Sequence, residues 1–172
     1  AGASGVGSLA IQIAKLHRAE VAITASTAKK REQCLALGAD HAWEYEFVRN
    51  EVRNWTNKRG VDIVIDHVGT NTWKSSIQSL CRGGKLVTCG ATTGYTAEID
   101  LRVLFFKQLS LLGSTMGTMD EMRDAWEAVN RGQIRPVIDR VLPMSQLAEA
   151  HELIETRSIT GKIVLEQNLC SV

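Results

Sequence analysis

The sequence predicts an α/β domain built as a doubly wound parallel sheet, and three observations carry that prediction. Apolar, β-branched runs of strand length alternate with helix-patterned stretches from the start of the chain to about residue 130. A glycine-rich turn, GASGVG at residues 2–7, leads straight into the first helical stretch. Further glycines punctuate later stretches, at Gly38, Gly60 and the Gly83, Gly84 pair. Such alternation implies right-handed crossovers and helices on both faces of the sheet.

In order, Val6, Leu9, Ile13 and Leu16 recur at three-and-four spacing, which predicts a helix over 6–17 with that stripe as its apolar face. EVAITA (20–25) reads as a buried strand. STAKKREQCLALGAD supplies Ser26 or Thr27 as an N-cap and Gly38 as the stop. HAWEY fits a short strand, and FVRNEVRNWTNKRG a helix halted by Gly60. VDIVIDHVG is a strand, NTWKSSIQSLCRGG a helix running to its two glycines, and KLVTCGA a strand. After the loop TTGYTAEID come a short helix at 101–107 and the strand LSLLGS. MDEMRDAWEAVNRG is a helix with Met122, Ala125, Trp126 and Val129 on one side. From about Ile134 the texture changes. An extended run lies between Pro136 and Pro143, followed by a helix capped at Ser145, a turn at Gly161 and a closing strand. This tail either ends the same sheet or belongs to a second domain.

Composition bounds the function. The 172 residues are 44% hydrophobic and 23% charged, with a formal net charge of +1. That balance argues against a surface devoted to nucleic acid or anionic lipid. No apolar run approaches the length of a membrane span, and the opening lacks a charged leader and apolar core. Cys34, Cys81, Cys89 and Cys170 are scattered without a C-x-x-C pair, the pattern of a reduced, cytoplasmic protein with no metal site in this chain. His41, His67 and His151 are read as structural or surface residues, because none has a second ligand at useful spacing.

The glycine turn is the first motif with chemistry. A strand-to-helix turn of small residues lets the backbone approach a pyrophosphate, which then sits on free amides at the positive end of the helix dipole. Gly7 would permit close helix packing, while Gly5 and Val6 would present amides. Ser4 is followed by Gly5 and Val6, so the stretch is not a G-x-S-x-G nucleophile elbow. A plain turn has the same composition, but a helix followed by a strand completes a βαβ remainder and favours the binding reading. The second strand ends in Ala25 and Ser26, where a carboxylate would hold a ribose 2′-hydroxyl; none is there. Lys29, Lys30 and Arg31 follow instead. A solvated helix face could account for them, but the missing acid and the basic cluster together favour NADP(H) over NAD(H). A methyltransferase with the same loop would also want that acid, which disfavours it.

The stretches GASGVGSLAIQIAKL, ALGADHAWEY, VDIVIDHVG, GGKLVTCGATTG, LFFKQLSLLGSTMG and GKIVLE resemble, in order along nearly the whole chain, the medium-chain dehydrogenase/reductase family of zinc-type alcohol dehydrogenases and quinone reductases. The family's usual middle loop glycine is Ser4 here. The resemblance implies a Rossmann domain with Ser4, Gly5 and Val6 at the pyrophosphate and Ser26 and Lys30 at the adenosine ribose and its phosphate. Tyr45 would approach the cofactor; its alternative is an aromatic packing at a strand edge. Val68 and Gly69 would lie along the cofactor's middle, and Gly90 and Ala91 near the nicotinamide. It further implies hydride transfer between nicotinamide and an alcohol, carbonyl or activated alkene, and a homodimer formed through the sheet edge between Leu109 and Ser114. Any zinc, and the catalytic residues, would belong to a catalytic domain outside this chain. The competing expectation is a dinucleotide-binding module or sensor without turnover.

On this resemblance residues 1–133 are a dinucleotide-binding domain lacking its first strand, and 134–172 a return segment of the catalytic domain. Four apolar side chains lost with a central strand would cost roughly 6–12 kcal/mol, comparable with a domain's whole stability. These residues alone are therefore expected to fold poorly or to borrow a strand, and to be inactive as an enzyme.

Overall fold

Small residues decide how the first helix packs. In a computed structural model, which describes residues 1–167, α1 (Gly5–Leu16) buries Gly7, Ser8 and Ile11, while Val6, Ile13 and Leu16 are each 45% exposed. The expected apolar stripe is thus not the buried face. Gly7 and Ser8 admit close approach, and Ile11 fills the contact.

The elements that follow are β1 (Ala22–Thr24), α2 (Ala28–Ala36), β2 (His41–Trp43), α3 (Val48–Trp55), β3 (Val61–Asp66) and α4 (Thr70–Ser79). Then come β4 (Leu80–Thr88), α5 (Leu101–Lys107), β5 (Ser110–Gly113) and α6 (Met119–Asn130). The order closes with β6 (Ile138–Pro143), a 3-10 turn (Met144–Gln146), α7 (Leu147–Glu155) and β7 (Lys162–Glu166). β1 pairs with β2; β3, β4 and β5 form a parallel sheet in that order; β6 and β7 are parallel partners. Cys170 lies outside the described residues.

Three boundaries differ from expectation. α4 stops at Ser79, and the run through Gly83 and Gly84 is strand. Leu80 pairs with Val61 but Lys85 with Ile63, so the extra residues are absorbed as an irregularity in β4. α3 ends at Trp55 rather than reaching Gly60, because Asn57 and Lys58 take positive φ. Ser145 caps nothing: it sits inside the 3-10 turn, and α7 begins after Gln146 without a side-chain cap.

The chain divides into two compact units. One joins residues 2–42 to the segment from Asp120 onward. Its core is Ala3, Ile11, Ile23, Ala25, Cys34 and Ala39. The tail is tied in by Gln12, whose side-chain amide donates to the Arg135 carbonyl (2.9 Å) and accepts from the Arg135 N–H (2.8 Å). The other unit, residues 43–119 with Ala1, is built on the three-stranded sheet. Ile77, Leu80 and Leu86 are buried there, with Val64, Trp73, Val103 and Leu111 packed against them. Cys34 and Cys81 are buried free thiols and Cys89 is an exposed one. No helix among the described residues is long and apolar enough to cross a membrane.

Candidate functional site

In the unit that carries the glycine turn, Ser4 is the N-cap of α1. Its backbone is extended, and its Oγ accepts from the Gly7 N–H at 2.9 Å. Ser8 N–H returns to the Ser4 carbonyl at 2.9 Å. That leaves the Val6 N–H, among the described residues, with no acceptor at the positive end of the helix. The first turn contains no acid to neutralise that end.

The tail supplies the neighbour of this turn. Ser4 and Gly161 form a parallel bridge, with Gly161 N–H donating to the Ala3 carbonyl at 2.8 Å. The next residue, Lys162, lays its side chain over Gly5: a Cβ built on Gly5 would stand 2.9 Å from Lys162 Nζ and closer still to its Cε. A larger residue at Gly5 would have to displace the Lys162 side chain from this place. A lysine amine at a helix N-terminus sets like-signed charges side by side, an arrangement that an anion between them would turn favourable. Sequence reading missed Lys162, because its only local sign is a basic residue after the glycine of a turn.

The same unit holds Ser26 and Lys30. Gly2 N–H donates to the Thr24 carbonyl at 2.9 Å, which sets the glycine turn beside the end of β1. Ser26 is exposed on the connection that follows, and Thr27, not Ser26, caps α2 by accepting from Lys30 N–H at 3.3 Å. The Lys30 amine donates to the Arg157 carbonyl at 2.6 Å, so it is steadied by the tail and keeps two further N–H donors. Lys29 is exposed on the same first turn, and Arg31 donates to the Ala25 carbonyl at 3.2 Å.

The remaining predicted residues lie in the sheet unit. Tyr45 is carried separately, partly buried on the turn after β2. Val68, Gly69, Gly90 and Ala91 come together, because the loops leaving β3 and β4 touch. A Cβ on Gly69 would stand 3.0 Å from Ala91 Cα, and one on Gly90 3.0 Å from the His67 carbonyl oxygen. Gly69 has φ 91° and ψ −132°, a conformation open in practice only to glycine. Ligands of open α/β sheets bind at loops of this kind, beyond the carboxyl ends of parallel strands.

Beneath these loops sits Asp66, the last residue of β3, only 4% exposed. Its Oδ1 accepts from the N–H groups of Val68 (2.9 Å) and Gly69 (3.0 Å). Its Oδ2 accepts from the hydroxyls of Ser76 (2.7 Å) and Thr72 (2.8 Å). Burial by itself would raise its pKa, but the bonds from Ser76, Gly69, Thr72 and Val68 together hold it below the ordinary aspartate value. Burial pushes the neighbouring His67 down. Sequence reading missed this network, although signals for it are there: an acid inside the apolar run VDIVIDHV demands partners, and Thr72 and Ser76 share a helix face four residues apart. Among the described residues no three His, Cys, Asp or Glu gather as a metal site.

Comparison with known proteins matches residues 5–131 to the family model of zinc-binding dehydrogenases. The chain is 35% identical over 173 residues to a Schizosaccharomyces pombe protein described as "Probable quinone oxidoreductase", covering 96% of this chain and 53% of that protein. A solved NAD-dependent alcohol dehydrogenase superposes with a TM-score of 0.90 at 39% identity, over 96% of this chain and 49% of that one. A crotonyl-CoA carboxylase/reductase solved in complex with NADP gives a TM-score of 0.87 at 27% identity, over 95% and 47%. The chain thus spans about half the length of the relatives it matches. With its parallel strands, alternating helices and glycine turn, this chain belongs to the zinc-binding dehydrogenase family, within the medium-chain dehydrogenase/reductases.

Proposed function

We propose that this chain is the cofactor-binding portion of an NADP(H)-dependent oxidoreductase. Its parent would move a hydride between nicotinamide and an alcohol, a carbonyl or an activated alkene such as an enone or quinone. The observation that carries the reading is the front of α1: an uncommitted Val6 amide, no acid in the first turn, and the Lys162 side chain laid over Gly5. These residues suit a diphosphate, with Ser4, Gly5 and Val6 along it and Lys162 as its counter-charge. Ser26 and Lys30 take the adenosine ribose and its 2′-phosphate. Tyr45, Val68, Gly69, Gly90 and Ala91 serve the rest of the cofactor. Bound there, the dinucleotide supplies the hydride chemistry; the chain's residues bind and orient it.

The solved relatives support both nicotinamide cofactors, one being NAD-dependent and another in complex with NADP. The preference for NADP(H) rests on the missing acid at Ala25 and Ser26 and on Lys30. The family match supports reading residues 1–133 as the cofactor domain and 134–172 as the return segment of a catalytic domain. The outer position of β5 supports a homodimer that extends the sheet between Leu109 and Ser114, testable by analytical ultracentrifugation. The free thiols of Cys34, Cys81 and Cys89, all among the described residues, suit a reducing cytoplasm.

Calorimetric titration with NADPH and NADH tests the proposal. NADPH is expected to bind more tightly, and Lys162→Met to weaken both cofactors about equally, by roughly three- to tenfold, since both carry the diphosphate. Tighter NADH binding refutes the assignment of Ser26 and Lys30. Unchanged binding in Lys162→Met refutes the diphosphate site.

A further inference from the structure

We propose that Asp66 is a positioning residue for cofactor binding: its buried carboxylate holds the loop of His67, Val68 and Gly69 in register with the loop of Gly90 and Ala91, making one preformed floor at the ends of β3 and β4. This rests on the dinucleotide reading above and names what shapes the loops of the sheet unit that the reading assigns to the cofactor.

Asp66 is a costly way to end a strand. A carboxylate so buried must find partners for its lone pairs, and an apolar residue would pack there without that demand. No lysine or arginine is among the partners of its carboxylate oxygens. Its charge is spread instead over two backbone N–H groups and two hydroxyls, at the positive end of α4. Two of those four bonds go to the loop backbone itself. The loop is held from its other side too. Thr93 donates its hydroxyl and its N–H to the Val68 carbonyl, at 2.8 and 2.9 Å, and its Oγ1 accepts from the Asn71 N–H at 3.2 Å.

Val68 therefore has both its N–H and its carbonyl engaged, from opposite sides. Gly69 lies so near Ala91 and the Gly94 carbonyl that a Cβ there would stand 3.0 and 2.8 Å from them, and its backbone conformation is one that glycine tolerates. A loop pinned this way presents a fixed surface to a ligand, so little ordering is left to be done on binding.

The test titrates the whole chain with NADPH and with 2′,5′-ADP, which carries only the adenosine end. Asp66→Ala leaves two backbone donors without their acceptor and is expected to weaken NADPH by about tenfold or more, with 2′,5′-ADP within about twofold of the parent. Asp66→Asn keeps Oδ1 for Val68 and Gly69, and its amide can donate to hydroxyls turned round to accept. It should restore NADPH to within about threefold. Should Asp66→Ala fail to give a helical circular dichroism spectrum, Thr93→Val takes its place, with the same selective loss expected at about three- to fivefold. Equal weakening of both ligands marks general damage to the fold and overturns the positioning role, as does no weakening of either. If the parent chain binds 2′,5′-ADP as tightly as NADPH, the loops contribute nothing and this inference falls while the phosphate site stands. If the parent gives a folded circular dichroism spectrum and binds neither, the dinucleotide reading itself falls.

Discussion

The two units spend their turn donors in opposite ways. At the front of α1 the Val6 N–H has no acceptor among the described residues, the first turn lacks an acid, and Lys162 crosses Gly5. At the front of α4 the N–H groups of Val68 and Gly69 are consumed by the protein's own carboxylate, Asp66. Both are turns that lead into a helix and carry glycine beside its first residues. One is left electropositive and fit for an anion; the other is neutralised from within and offers shape instead of charge. Loops of one topology can thus be specialised by a single residue, according to whether the helix end meets an internal anion.

The glycines break this contrast most directly. Gly69→Val forces a β-branched side chain into φ 91° and against the Gly94 carbonyl, 2.8 Å from the Cβ position. A stability loss of about 3 kcal/mol or more is expected in urea unfolding, and a loss under about 1 kcal/mol contradicts the strain argument. Gly5→Ala should behave differently. Its Cβ meets the far end of a flexible lysine, which can swing away, so stability is expected to change by less than about 1 kcal/mol while NADPH binding falls about tenfold. Comparable stability losses in the two variants would erase the distinction between the turns.

Smaller effects sharpen it. Lys30→Glu is expected to lower the NADPH-to-NADH affinity ratio by about fivefold, because an exposed lysine–phosphate contact is partly screened. An unchanged ratio removes Lys30 from the 2′-phosphate. The pH response comes last, being nil at neutrality. Asp66 has a folded pKa below its unfolded one, so its contribution is present above the ordinary aspartate pKa, about 3.9, and is lost as pH falls through the depressed value. Acid titration of stability should therefore be less steep in Asp66→Asn than in the parent; equal slopes would mean that Asp66 carries no differential protonation.

The alternation of strands and helices, a cap at Ser26 or Thr27 and the stop at Gly38 were legible because each depends on residues within one turn of the chain; the structure chose Thr27. The glycine turn and the basic start of α2 were legible for the same reason. Lys162 was not, since it reaches Gly5 across most of the chain's length. The buried face of α1 was misjudged because periodicity reports where apolar side chains recur. Which face meets a neighbour is settled by how closely Gly7 and Ser8 let one approach. Asp66 was missed, although an acid in an apolar strand is a signal that could have found it; its partners come mostly from the fold.

By itself, then, the sequence determined the element order, the parallel α/β class and the family, all of which follow from local propensity and ordered motifs. Only the tertiary structure decided which donors at the two glycine turns are spent and which remain. Hydrogen bonding and charge act through space, over a few ångströms, between residues that the chain brings together from far apart.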